Sequence, residues 1–94
     1  MEPIDYNIIF SLPFNGDPRK ITIHARNGTK IQILTGKKLL KWNVEREAKR
    51  LQVNNKGIIN LKTDNIWECL TESQKDSFNN VARKANNINQ NEIN

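Results

Sequence analysis

Few residues in this chain belong to the types that do chemistry. His24 is the only histidine and Cys69 the only cysteine. A general acid or base needs a positioned partner, and His24 sits in an alternating run, Lys20-Ile21-Thr22-Ile23-His24, with no second histidine or cysteine to join it on a metal. Cys69 lies between Trp67 and Leu70 with no base beside it in sequence, so it reads as a small core or near-core residue. Glu47-Ala48-Lys49 spells the E-x-K fragment of many nucleases. Metal-dependent hydrolysis needs carboxylates converging on one point, and no upstream Asp on a strand accompanies the fragment. Gly36-Lys37 matches the end of a phosphate-binding loop whose earlier glycine is missing. The expectation is a protein that binds without catalysing and carries no metal or cofactor. A lone cysteine also rules out an internal disulfide and a cysteine-rich zinc site, and it suits a reducing compartment. Asn27-Gly28-Thr29 fits the glycosylation pattern, which carries weight only in a secreted chain.

What remains is charge. The chain has 94 residues and a formal net charge of +5, but the charge is segregated. Residues 1 to 18 hold acids and no base; residues 19 to 62 hold most of the Lys and Arg against only Glu45 and Glu47; the remainder is slightly acidic. A basic middle of this kind favours an anionic partner, either nucleic acid or an acidic protein. The composition is dominated by Asn, Lys and Ile, a bias that low-GC coding produces, as in a bacterial, phage or plasmid source, and that carries no physical argument for a role.

The elements that would position these charges follow from periodicity. Residues 6 to 12, YNIIFSL, alternate Ile8, Phe10 and Leu12 against Asn7, Ile9 and Ser11, the pattern of a half-buried strand. Two prolines around Asn15-Gly16-Asp17 form a turn. Residues 19 to 34, RKITIHARNGTKIQIL, read as a hairpin. A three-residue loop, Arg26-Asn27-Gly28, pairs Ile23 with Ile31 and Ile21 with Ile33, whereas a two-residue loop would set an apolar face against a polar one. The outward face then carries Lys20, Thr22, His24, Lys30 and Gln32.

Residues 37 to 52 contain good helix formers, with Leu40, Val44, Ala48 and Leu51 on one stripe. That register places Leu39 and Trp42 on the opposite side among Lys38, Arg46, Lys49 and Arg50. A second register starts the helix at an Asn43 N-cap, with Glu45 and Glu47 in its first turn and Lys49 and Arg50 in its last, and leaves Leu39, Leu40 and Trp42 in a buried connection. GIINLKT, residues 57 to 63, reads as a strand. A helical turn at Thr63 or Asp64 and a helix capped by Thr71, with Gln74 in capping-box position, follow; Ile66, Trp67, Leu70, Phe78, Val81 and Ala85 supply their buried side.

The predicted architecture is a single α+β domain over residues 1–87, a small antiparallel sheet with two helices in the order β-β-β-α-β-α, followed by a disordered polar tail over 88–94. An open sheet edge would allow a homodimer. No apolar run is long enough to cross a bilayer and the amino terminus lacks a secretory signal, so the chain is expected in the cytoplasm. Its expected function is non-enzymatic nucleic-acid binding through the basic sheet face and helix, at Lys20, His24, Arg26, Lys30, Lys38, Trp42, Arg46, Lys49 and Arg50. The sheet face lacks paired aromatics for stacking bases, so duplex DNA is the expected form. The alternative is a small inhibitor or adaptor, of the phage or plasmid accessory type, that docks on an acidic partner protein.

Overall fold

The pair Asp17-Pro18 begins a helix where alternation predicts a strand. The Asp17 carboxylate accepts the Arg19 N–H at 3.0 Å as N-cap, and Pro18 occupies the first turn, where its missing N–H leaves no bond unmade. In the computed structural model, which describes residues 4–26 and 33–93, every regular element among the described residues is helical. In chain order these are α1, Tyr6–Phe10; a tight turn, Pro13–Gly16; α2, Pro18–Ala25; α3, Gly36–Arg50; α4, Lys56–Cys69; and α5, Glu72–Ile93. The α+β fold with its antiparallel sheet is thus corrected to an all-helical one. The sheet edge that was to serve a homodimer goes with it. Asn27 and Gly28 of the expected loop, with Lys30 and Ile31, lie outside the described residues, whereas Arg26 is the C-cap of α2.

Three of the four expected strands fail for one shared reason, and the fourth, the second strand of the hairpin, lies largely outside the described residues. A short alternating run whose apolar residues also fall four apart satisfies both periods, and packing decides between them. In α2, Ile21, Thr22 and Ala25 are buried while Ile23, which alternation would bury, is 69% exposed. In α4, capped by the Asn55 side chain on the Ile58 N–H, Thr63 and Ile66 turn inward with half-buried Ile59, as does the C-cap Leu70, and Ile58 and Leu61 turn outward. In α1, Asp5 caps the helix through the Asn7 N–H and only Ile9 is buried. The β-branched residues that raise strand propensity here sit on helices with their inward face fixed by neighbours.

Helix α3 is central, packing on α5, α4 and α1. Because it has neighbours on several sides, its buried arc is wider than one stripe. Leu39 and Leu40 are both fully buried, with Gly36, Asn43, Val44, Glu47 and Ala48. This corrects the register that put Leu39 on the outer side. The helix starts at a Thr35 N-cap that accepts the Lys38 N–H, so Asn43 lies in mid-helix and is not a cap. α5 begins with the reciprocal capping box: Thr71 N–H donates to Gln74 Oε1 at 2.9 Å, and Gln74 N–H to Thr71 Oγ1 at 3.1 Å. It runs unbroken to Ile93, through Asn89, which is buried.

Two asparagines of α5 fix where α3 begins. Asn86 donates from Nδ2 to the Leu34 carbonyl and accepts the Leu34 N–H at Oδ1, both at 2.8 Å. Two turns earlier, Asn79 Oδ1 accepts the Gly36 N–H at 3.2 Å. A Cβ on Gly36 would stand 2.2 Å from that oxygen and 2.9 Å from the Asn79 backbone nitrogen. Glycine is required here because two backbones meet. Above this contact the core closes around Ile9, Ile21, Leu39, Leu40, Phe78 and Ala85. No helix among the described residues is long and apolar enough to cross a membrane.

Candidate functional site

Three rings from three elements come together beside the middle of α3. His24, in the last turn of α2, lies 4.7 Å from the Trp42 ring, edge to face, and 5.3 Å from the Phe14 ring. Such centroid separations are within the range of attractive aromatic contact. Trp42 is half-buried against the core, whereas His24 and Phe14 are exposed. The rings lie along an open groove of roughly 870 Å³, whose walls continue to Ser11, Leu12, Asn15, Glu45, Arg46 and Lys49. Arg46 and Lys49 follow Trp42 at intervals that keep all three on the same outward side of α3, and both are exposed.

Phe14 reaches the groove by an unusual backbone. Phe14 (φ 53, ψ 34), Asn15 (φ 56, ψ 26) and Gly16 (φ 77) are three consecutive residues with positive φ. Glycine accepts that region without strain and asparagine tolerates it, but a phenylalanine there is uncommon. The turn is bounded by buried Pro13 and by Asp17, the α2 cap whose N–H donates to the Phe14 carbonyl at 3.0 Å.

Of the residues singled out from sequence, His24, Trp42, Arg46 and Lys49 line this groove. Lys20 is exposed one helical turn before His24 on α2, and Arg26 is exposed just beyond that helix. Lys38 stands one turn before Trp42, with its Nζ donating to the Ile33 carbonyl at 2.9 Å. Arg50 turns back to Glu47, donating from Nε to Oε1 and from Nη2 to Oε2, each at 2.8 Å. Lys30 lies outside the described residues. Phe14 and Asn15 escaped the sequence reading because they belong to a segment read only as a turn. The available signal was a large aromatic placed between Pro13 and Asn15-Gly16, where neither helix nor strand offers it a buried face.

Glu47 is the strongest electrostatic feature. It is 2% exposed, yet its carboxyl is held down to about 2 by the Arg50 hydrogen bonds first, then by the Asp5 N–H that it accepts at 2.9 Å. Burial opposes the shift, while the charges of Arg50 and Arg46 add to it. Both oxygens of this carboxylate, the Glu of Glu47-Ala48-Lys49, thus accept hydrogen bonds from within the chain. Among the described residues no three His, Cys, Asp or Glu side chains cluster as a metal site. Cys69 is exposed, which corrects its reading as a core or near-core residue.

Two further surfaces flank α4. Lys37, Lys38 and Lys41 gather near the start of α3, where Lys37 pairs with Asp64 at 2.7 Å. On another side, Ile4, Ile9, Val44, Leu51, Val53 and Ile59 surround an apolar depression of roughly 260 Å³, beside the exposed Ile58. No protein-family model, curated protein or solved structure matches the chain. The groove is therefore the basis for the functional reading.

Proposed function

We propose that this is a non-enzymatic nucleic-acid-binding protein of the cytoplasm whose contact surface is the outward face of α3 and the groove it shares with α2. The observation that carries the reading is the placement of Arg46 and Lys49 in the same open groove as three aromatic rings. Lys and Arg neutralise phosphates and set most of the affinity, while neighbouring polar and aromatic groups meet the bases. Lys20 and Lys38 extend the positive charge along α2 and α3. The surface is helical, in place of the sheet face expected from the sequence. The preference for duplex DNA rested on the lack of paired aromatics on that face, and the groove removes this reason.

The test is a titration of fluorescent DNA and RNA oligonucleotides against the wild-type protein and the Arg46→Glu/Lys49→Glu variant at two salt concentrations. We expect the variant to lose at least about tenfold in affinity and its log-log salt slope to shrink by about one unit per lost phosphate contact. Absence of wild-type binding to any oligonucleotide at low salt would refute the proposal. The second reading is an inhibitor or adaptor that docks on an acidic partner protein. It draws its support from exposed Ile58 and Leu61 on α4, the first of which lines the apolar depression, since apolar surface rimmed by polar groups marks protein contacts.

A further inference from the structure

Resting on the nucleic-acid reading, we infer that the ligand is single-stranded and that an unpaired base stacks on the exposed side of the Phe14 ring. Phe14 is 42% exposed although it is among the largest apolar residues of the chain. His24 covers it from one direction at 5.3 Å, and the groove opens beside it. A base is a flat apolar surface with polar edges, and base–aromatic stacking is largely indifferent to sequence because every base has a π-face. In a duplex both faces of a base are already covered by its neighbours. Only an unpaired base can use the ring.

The backbone of the turn supports the assignment. A phenylalanine and an asparagine in succession at positive φ cost energy that an extended turn would avoid, and this geometry places Phe14 beside His24 over the groove instead of in the core. Sparsely populated backbone conformations of this kind cluster at ligand clamps. Asn15, the next residue, also lines the groove, with an amide that can both donate to and accept from a base edge. Arg46 and Lys49, which line the same groove, offer two cations on adjacent turns of α3 for the phosphates flanking the stacked base. Glu45, which also lines the groove, repels phosphate, so the strand runs on the side of Arg46 and Lys49.

The experiment compares anisotropy titrations of a labelled oligothymidine of about twelve nucleotides, within the usual range of single-strand site sizes, with those of a duplex of equal length. Phe14→Leu, Phe14→Trp and Arg46→Glu/Lys49→Glu are tested beside the wild type, with thermal melts of each. We expect tighter binding to the single strand, a loss of about tenfold or more in Phe14→Leu for the single strand, and less than about a twofold change for the duplex. Phe14→Trp, which keeps a stacking surface on the same backbone, should retain single-strand affinity even if Phe14→Leu folds poorly. If Phe14→Leu binds the single strand as well as wild type, or Phe14→Trp loses as much as Phe14→Leu, the stacking assignment falls. The nucleic-acid reading survives that result if the charge-reversed variant still loses affinity. Failure of both oligonucleotides to bind wild type would overturn the reading and the inference together.

Discussion

Asn43 and Glu47 stand one turn apart on the buried side of α3 and grip opposite ends of α1. Asn43 Nδ2 donates to the carbonyls of Ile9 and Ser11 at 2.9 and 2.6 Å, closing the carboxyl end, and Glu47 accepts the Asp5 N–H at the amino end. A helix of five residues cannot sustain itself in water, because nucleation uses up most of what its few hydrogen bonds return. The clamp supplies what length does not. It also fixes the entry of the chain into the Pro13–Gly16 turn, and so couples the core of α3 to the position of Phe14.

The first prediction concerns acid. The Glu47 carboxyl is depressed from an ordinary 4.5 to about 2 in the folded protein, so the unfolded chain binds its proton more readily than the native one. The stabilisation is complete above about pH 4.5 and is lost as pH falls toward about 2. The wild-type melting temperature should fall across that window. Glu47→Gln should melt lower at neutral pH and fall less steeply, since the other carboxylates are common to both proteins. Parallel pH profiles, measured by circular dichroism, would remove Glu47 as the source.

Two helical glycines should respond differently to alanine. At Gly36 the added methyl would meet Asn79 at 2.2 Å from its side-chain oxygen and 2.9 Å from its backbone nitrogen, and overpacking of this kind costs about 1–3 kcal/mol. At Gly57 the nearest atom is the Asn55 side-chain oxygen at 3.2 Å, in an exposed first turn. There the gain in helix propensity, at most about 1 kcal/mol, offsets any shift of the cap. Chemical denaturation of Gly36→Ala and Gly57→Ala should show a clear loss for the first and little change for the second. Equal stability of the two variants would contradict the close approach of α3 to α5.

The left-handed turn makes a third test independent of ligand. Asn15 is exposed at φ 56. Glycine there should be neutral or stabilising by a few tenths of a kcal/mol, up to about 1. Asn15→Val should lose on the order of 1–3 kcal/mol, because a β-branched residue is strained in that region. Thermal melts that rank valine equal to glycine would mean that the turn relaxes to another conformation.

What the sequence reveals of this fold depends on how local each signal is. The Thr71–Gln74 box and the Leu40, Val44, Ala48 stripe need only neighbours within one helix, and both stand in the structure. Ile21 and Ala25 fit either period, so α2 is decided by the Asp17-Pro18 cap and by packing on α5, which alternation ignores. In α4 the same decision falls to the Asn55 cap. For the groove, Trp42, Arg46 and Lys49 are legible from the helical register alone. Phe14 is not, because its place depends on a left-handed turn and on the approach of α2 to α3. Nor is the role of Asn43, whose partners Ile9 and Ser11 are far away in sequence.

The last prediction tests the contact that anchors the start of α3. Asn86 is unusual in meeting both backbone groups of one residue, donating to the Leu34 carbonyl and accepting from its N–H. Asn86→Ala leaves both groups without this partner in a part-buried site, a loss of about 1–3 kcal/mol. Asn86→Asp is nearly isosteric and keeps the acceptor for the Leu34 N–H, but it sets a carboxylate oxygen against the carbonyl where the amide donated. If both bonds matter, Asn86→Asp should be at least as destabilised as Asn86→Ala at neutral pH. It should recover partly in acid, when the carboxyl regains a proton to donate. Denaturation of the two variants at neutral and acidic pH, each compared with wild type at the same pH, provides the measurement. An aspartate variant as stable as wild type at neutral pH would show that the amide donation to Leu34 contributes nothing, leaving the N–H contact as the only anchor.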